Sequence, residues 1–327
     1  MSNNRQTRYT NEEQVSISLC FPFLDGLVGN VGLSITETLL LIASVQATMK
    51  FYNDLDLQMI SVERVAEYGD LIVEEDEGTL IPPPSWPSAG QIQFQSLSMR
   101  YSPEKPYVLK NITIEIQPGD KIGIVGRTGA GKSSLISTLF RLYDFEGTIY
   151  IDGVNTKLIP LSTLRTKIAV IPQDPVLFAG TIRTNLDPLE EFTDNQLWSS
   201  LEEVNLKTTI SNLPSGLDSS ILESGSNFSV GQKQILCLVR AVLKRSMVVV
   251  LDEATAFVDL ETDKLIQATI KKRFQQSTVL KIAHRLDTVM DSNKILVIDD
   301  GCVVEFGRAE ELLRNSEGYL YKSVYEG

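Results

Sequence analysis

Gly126-Arg127-Thr128-Gly129-Ala130-Gly131-Lys132-Ser133 follows the apolar run Ile122-Gly123-Ile124-Val125 and precedes a helical pattern over residues 134–142. This order is strand, glycine-rich loop, helix. The glycines let backbone N–H groups turn inward around phosphate oxygens, and the helix N-terminus adds the positive end of its dipole. In such a loop Lys132 reaches the β and γ phosphates, and the Ser133 hydroxyl is placed for magnesium. Gly126, Thr128, Gly129, Ala130, Gly131, Lys132, Ser133 and Ser134 are therefore the candidate nucleotide-binding residues. A glycine-rich turn before a helix is the bland alternative, and the apolar strand and helical flanks weigh against it. The motif says nucleotide and leaves the reaction open.

A second apolar run, Met247-Val248-Val249-Val250-Leu251, ends in Asp252 and Glu253. Burial of the run brings Asp252 to the carboxyl edge of a sheet, where ligands of open α/β sheets bind. Asp252 suits the magnesium shell together with Ser133, and Glu253 is left to polarise an attacking water as general base. Two further segments stand between these signals. One is Ile168-Ala169-Val170-Ile171-Pro172-Gln173. The other, Phe228-Ser229-Val230-Gly231-Gln232, opens a helical stretch over residues 235–243 with Ser229 placed as its N-cap.

Composition bounds the rest. A chain of 327 residues is ample for one large core, and its 43% hydrophobic and 22% charged residues describe a globular protein. The net charge of −12 repels phosphate backbones, so nucleic acid is not an expected partner. Three cysteines, Cys20, Cys237 and Cys302, lack paired spacing, and one histidine, His284, rules out a multi-histidine metal centre. The first residues, MSNNRQTRYTNEEQ, do not begin as a secretory signal does.

Residues 26–36 and 38–49 carry no charge, with Glu37 between them. They read either as one membrane helix continuing into FYNDLDLQMISVERVAEY or as an ordinary packed helix. GDLIVEEDEGTLIPPPSWP then reads as an acidic, proline-rich linker, since Pro82-Pro83-Pro84 cannot continue a helix. From Gln91 on, β-branched runs such as ITIEI, KIGIVG, MVVVLDE and KILVIDDG alternate with helical stretches. The expected fold is α/β: a parallel core sheet of phosphate-loop NTPase type, an antiparallel β subdomain at its start and a helical subdomain, preceded by the long N-terminal helix. The expected organisation is a polar segment at 1–20, the helix at 21–68, the linker at 69–90 and the nucleotide-binding domain at 91–327.

Taken in order, these motifs resemble the ATP-binding-cassette (ABC) family over residues 91–327. The resemblance implies that residues 228–232 are the signature sequence, with Ser229, Gly231 and Gln232 contacting ATP held by another cassette in a head-to-tail dimer. It implies that adenine stacks on Tyr101, although Tyr107 is a second aromatic in the same stretch. It makes Gln173 the glutamine that senses magnesium and the membrane domain, Asp259 the acid of the loop after the catalytic glutamate, and His284 the switch histidine at the γ-phosphate.

IPQDPVLFAGTIRTNLDP, LDEATAFVDLETD and IAHRLDTVMD resemble the second nucleotide-binding domain of subfamily C, multidrug-resistance-associated exporters. VGLSITETLLLIASVQ is similar to the last transmembrane helix of such an exporter. The implied function is ATP hydrolysis with Mg2+ driving export, paired with another cassette and transmembrane domains, at a membrane with the cassette on its cytoplasmic side. Phe228 and Val230 depart from the usual signature. Two other readings stay open: a truncated nucleotide-binding protein without transport, and a soluble non-transport ABC ATPase. The separation of 56 positions from Gln173 to Ser229 leaves no room for a long coiled-coil insertion.

Overall fold

The computed structural model describes residues 3–71, 74, 78–252, 258–282 and 289–325, with side-chain surroundings given from residue 29 on except at 260 and 323–325. Two units, Met1–Glu75 and Asp76–Gly327, divide the chain. The first is a helix, α1 (Asn3–Gly69). Over Gly29–Gly69 it is long and apolar enough to cross a membrane, and its window there is 0% buried by the rest of the chain. Thr36, Thr38 and Thr48 donate their hydroxyls to the carbonyls of Gly32, Ser34 and Ser44 at 2.7–2.9 Å. These polar groups are thus satisfied within the helix itself, as hydrocarbon surroundings require.

The second unit holds β1 (Ile92–Met99), β2 (Leu109–Ile116), β3 (Lys121–Val125), α2 (Lys132–Leu139), β4 (Phe145–Ile151), β5 (Val154–Asn155), α3 (Leu161–Lys167), β6 (Ile168–Ile171), β7 (Gly180–Thr181) and α4 (Ile182–Leu186). It continues with α5 (Asp194–Glu203), α6 (Lys207–Ser211), β8 (Ser220–Ile221), α7 (Val230–Lys244), β9 (Val248–Asp252), α8 (Leu260–Arg273), β10 (Thr278–Ile282), β11 (Lys294–Asp299) and β12 (Cys302–Gly307). Two short helices, Ala309–Leu312 and Tyr319–Tyr325, follow.

The central sheet has the order β12-β11-β3-β10-β9-β6, parallel except for β12 on β11. Its inner strands are apolar on both faces because both faces are covered. On one face Ile122, Ile124, Val248, Val250, Leu280 and Ile282 pack with Leu135, Ile136 and Leu139 of α2. Phe94 and Leu97 of the antiparallel sheet β2-β1-β4-β5 join the same core. On the other face Val249, Leu251 and Val279 pack with Ile235, Leu238 and Val239 of α7 and with α4–α6. Helices α2 and α7 therefore lie on opposite faces.

Two hairpins turn on Asp-Gly pairs. Asp152 and Gly153 have φ of 48° and 74°, and Asp300 and Gly301 have 44° and 77°. Both central residues of a tight two-residue hairpin take positive φ, which explains Asp-Gly at each. From residue 78 the proline-rich stretch is docked onto the fold. Leu80 N–H donates to Leu158 O at 2.8 Å, and Trp86 Nε1 donates to Ile151 O at 3.0 Å. The Asp152 carboxylate accepts the backbone N–H groups of Ser88, Ala89 and Gln91 at 2.7–2.9 Å.

Candidate functional site

Strand register defines one edge of the central sheet. Ile124 pairs with Ile282, and Ile282 in turn pairs with Asp252, while Leu251 pairs with Ile171 on β6. The 126–133 loop leaves β3 at this edge, Asp252 ends β9 there, and Gln173 follows β6 at the same edge. Glu253 follows Asp252 directly and His284 comes two residues after β10, but both lie outside the described residues.

The loop is shaped by its glycines. A Cβ on Gly126 would stand 2.1 Å from the Ile298 carbonyl oxygen, and one on Gly131 would meet the Leu109 side chain at 2.8 Å. Gly131 is also the N-cap of α2, with φ 108°, a conformation that excludes other residues at little cost only for glycine. Lys132 is buried and donates from Nζ to Gly126 O at 2.7 Å and Arg127 O at 3.1 Å. Its ammonium is thus held at the loop. Arg127, Thr128, Gly129 and Ser133 are exposed, whereas Ala130 and Ser134 are buried.

Tyr101, just past β1, meets Ser134 through its hydroxyl at 2.8 Å. Its ring is 44% exposed and stands edge-on to Tyr143 with centroids 4.7 Å apart. Tyr107 is engaged elsewhere: its hydroxyl donates to Glu146 and Arg100 lies 5.0 Å over its ring. The hydrogen bond to Glu146 raises the Tyr107 pKa above the ordinary phenol value. Of the two aromatics, Tyr101 is the one joined to the phosphate-loop helix.

The residues 228–232 are built as a capped helix start. Ser229 Oγ accepts from Gln232 N at 3.1 Å, and Gln232 Oε1 accepts from Ser229 N at 3.0 Å, a reciprocal capping box. Val230 is half exposed, and a Cβ at Gly231 would only touch Thr262 and Val258 at ordinary distance. Asp259 caps α8, accepting from Glu261 N and Thr262 N. The bond from the Thr262 backbone, ahead of that from its hydroxyl, depresses the Asp259 pKa. Ser229 caps α7 on the face of the sheet opposite α2, the helix that the 126–133 loop begins.

Sequence reading missed the groups that shape the segment after Gln173. Asn185 accepts from Phe178 N and donates to Phe178 O and Thr181 O, each at 2.9 Å. Arg240 donates to Asn185 O at 2.6 Å and Val176 O at 2.8 Å, and Gln234 donates to Pro172 O at 2.9 Å. An arginine and an asparagine 55 residues apart leave no local pattern to find.

Residues 109–256 match the ABC transporter family. The chain carries an ABC transporter domain. The chain is homologous to subfamily C proteins along most of its length. It is 50% identical over 299 residues to human ATP-binding cassette sub-family C member 4, covering 91% of this chain and 23% of that protein. Over 312 residues it is 49% identical to a probable multidrug resistance-associated protein, lethal(2)03659, of Drosophila melanogaster (93% and 22%). Rat sub-family C member 2 is 48% identical over 306 residues (92% and 19%). The chain spans less than a quarter of the length of these curated relatives. The family match spans the 126–133 loop, Gln173 and Asp252.

Proposed function

We propose that this cassette binds and hydrolyses Mg-ATP and drives export as one half of an asymmetric pair with another cassette and with transmembrane domains. The observation that supports it most is the shared edge where the 126–133 loop, Asp252 and Gln173 all leave parallel strands. The donor chemistry fits magnesium, since the Ser133 hydroxyl and the Asp252 carboxylate are hard oxygen ligands. Among the described residues no cluster of three or more His, Cys, Asp and Glu forms, so phosphate oxygens and water would complete the shell. When bound, the ion neutralises phosphate charge.

The chain's own residues do the remainder. Tyr101 stacks on adenine, the loop N–H groups and Lys132 grip the phosphates, and Glu253 takes the proton of the water that attacks the γ-phosphate, giving ADP and phosphate. His284 contacts the same phosphate, and Gln173 relays its state to the transmembrane partner. That relay is supported by exposed Val176 and Phe178 on a segment fixed by Arg240 and Asn185. Placement of Ser229 on the sheet face opposite α2 supports a signature that serves a second cassette, as in a head-to-tail dimer. The helix Gly29–Gly69 supports a membrane location, with the cassette on the cytoplasmic side.

Glu253→Gln separates binding from chemistry. ATP binding should persist while hydrolysis falls by ~10² or more, the usual contribution of a general base. Unchanged turnover in Glu253→Gln would place the base elsewhere.

A further inference from the structure

The ATP-binding loop has a support that comes from the far end of the chain. The β11–β12 hairpin stands directly behind it: the Ile298 carbonyl closes on Gly126, and Gly301 N–H donates to Ala130 O at 3.1 Å. The hairpin end, Ile298 to Gly301, therefore touches the start and the middle of the loop. A Cβ on Gly301 would stand 2.2 Å from Val108 O, and Lys110 N–H donates to Gly301 O at 2.9 Å, so the turn has little room to shift. At its start the half-buried Asp299 receives the hydroxyl of Tyr319, while the exposed Asp300 pairs with Lys110 Nζ at 2.7 Å.

Tyr319 is itself held in place. The Glu305 carboxylate accepts Tyr319 N–H at 2.9 Å and Leu320 N–H at 3.0 Å. Leu320, fully buried, packs with Val125, Ile295 and Val297, and Val125 is the residue directly before the loop. The hydrogen bond to Asp299 holds the Tyr319 hydroxyl above the ordinary phenol pKa, while the charge of Arg127, a loop residue, pulls it the other way. The tyrosine thus stays a neutral donor, within electrostatic reach of the loop.

We infer that Tyr319 is a positioning residue for the ATP-binding loop, acting through Asp299 and the β11–β12 turn. It touches no substrate. Its bond fixes the carboxylate end of β11, that end fixes the backing of Gly126 and Ala130, and the C-terminal segment so contributes to ATP affinity. The inference rests on the reading of residues 126–133 as the nucleotide site, and the experiment separates the two.

The test compares the full chain in detergent with Tyr319→Phe, Asp299→Ala, Asp299→Asn and the double variant Tyr319→Phe/Asp299→Ala. Amide exchange is followed without nucleotide, and a fluorescent ATP analogue is titrated. Tyr319→Phe keeps the packed ring, so exchange should quicken over residues 126–131 and not through β9 and β10. Analogue Kd should rise about five- to tenfold, the size of one ordinary net hydrogen bond. Asp299→Asn retains an acceptor oxygen and should recover most of the affinity lost in Asp299→Ala. The double variant should be no worse than Asp299→Ala alone, the signature of two groups acting as a pair. Parent-like exchange and Kd in Tyr319→Phe, additive losses in the double variant, or exchange rising equally across the sheet would each overturn the inference. If the parent binds no analogue while exchange at 126–131 still responds to Tyr319→Phe, the nucleotide reading fails and the positioning role stands.

Discussion

The hydroxyls of Tyr101 and Ser134 lie 2.8 Å apart, so the aromatic that follows β1 is tied to the first turn of the helix that follows the phosphate loop. On the proposed function, this bond would join the base platform to the phosphate cradle. Tyr101→Ala should weaken binding of a fluorescent ATP analogue roughly tenfold or more, since stacking of a base on an aromatic contributes about 1–3 kcal/mol. Tyr101→Phe keeps the ring and should cost much less. Inorganic tripolyphosphate, which has no base, should compete equally well in the parent and in Tyr101→Ala. Equal analogue affinity in the parent and Tyr101→Ala would move adenine to another residue.

Val230 governs the second prediction. It is half exposed at the first turn of a helix whose cap, Ser229, is already satisfied by Gln232. Close approach of a partner's phosphate to this turn favours glycine, because the valine Cβ and methyls occupy the space and stiffen the backbone. In a homodimer both sites would inherit this weakened signature. Val230→Gly should then raise ATP turnover at concentrations where the protein dimerises, and adding a cassette with an ordinary signature should raise turnover of the parent. If neither change accelerates hydrolysis, the pair is not asymmetric in this way.

Membrane attachment follows from α1. A helix that is exposed and, within Gly29–Gly69, apolar over a window long enough to span, with hydroxyls bonded to its own carbonyls, suits hydrocarbon, where every backbone group must be paired internally. Sodium carbonate washing of isolated membranes should leave the chain in the pellet. Complete release into the supernatant would make this stretch a packed helix. Among the described residues one helix is long and apolar enough to span, and a single span encloses no pathway, so vesicles carrying this chain alone should show no ATP-dependent transport.

Much of this architecture is legible in the residue pattern. Val248 to Leu251 and Ile122 to Val125 read as strands because each is an unbroken apolar run, and such runs are stable only where both faces are covered. The order strand, glycine-rich loop, helix is legible because the glycines answer to local backbone geometry, φ 84° at Gly129 and 108° at Gly131. Strand β12 was not in the sequence reading, since Cys302 to Gly307 is only half buried and carries no long apolar run, although Asp300-Gly301 announces the turn before it. The proline-rich stretch read as a linker by composition, yet Trp86 is buried and bonded to Ile151, 65 residues away. No local pattern encodes such a contact. The same holds for Tyr319 and Asp299, and for the choice between Tyr101 and Tyr107, which depends on Glu146 capturing the second of them. Placement of Glu253 and His284 rests on sequence order alone.

Titration of a fluorescent ATP analogue into the full chain in detergent reads whether nucleotide is held at residues 126–133 with Lys132 gripping its phosphates. Lys132 is buried and already directed at the loop carbonyls of Gly126 and Arg127, so Lys132→Ala removes the one loop ammonium without touching Tyr101, Asp252 or Glu253. The account predicts magnesium-dependent saturable binding by the parent and a loss of about a hundredfold or more in Lys132→Ala, the scale of a lost charge-assisted contact to phosphate. A Lys132→Ala chain that binds the analogue as tightly as the parent would contradict it.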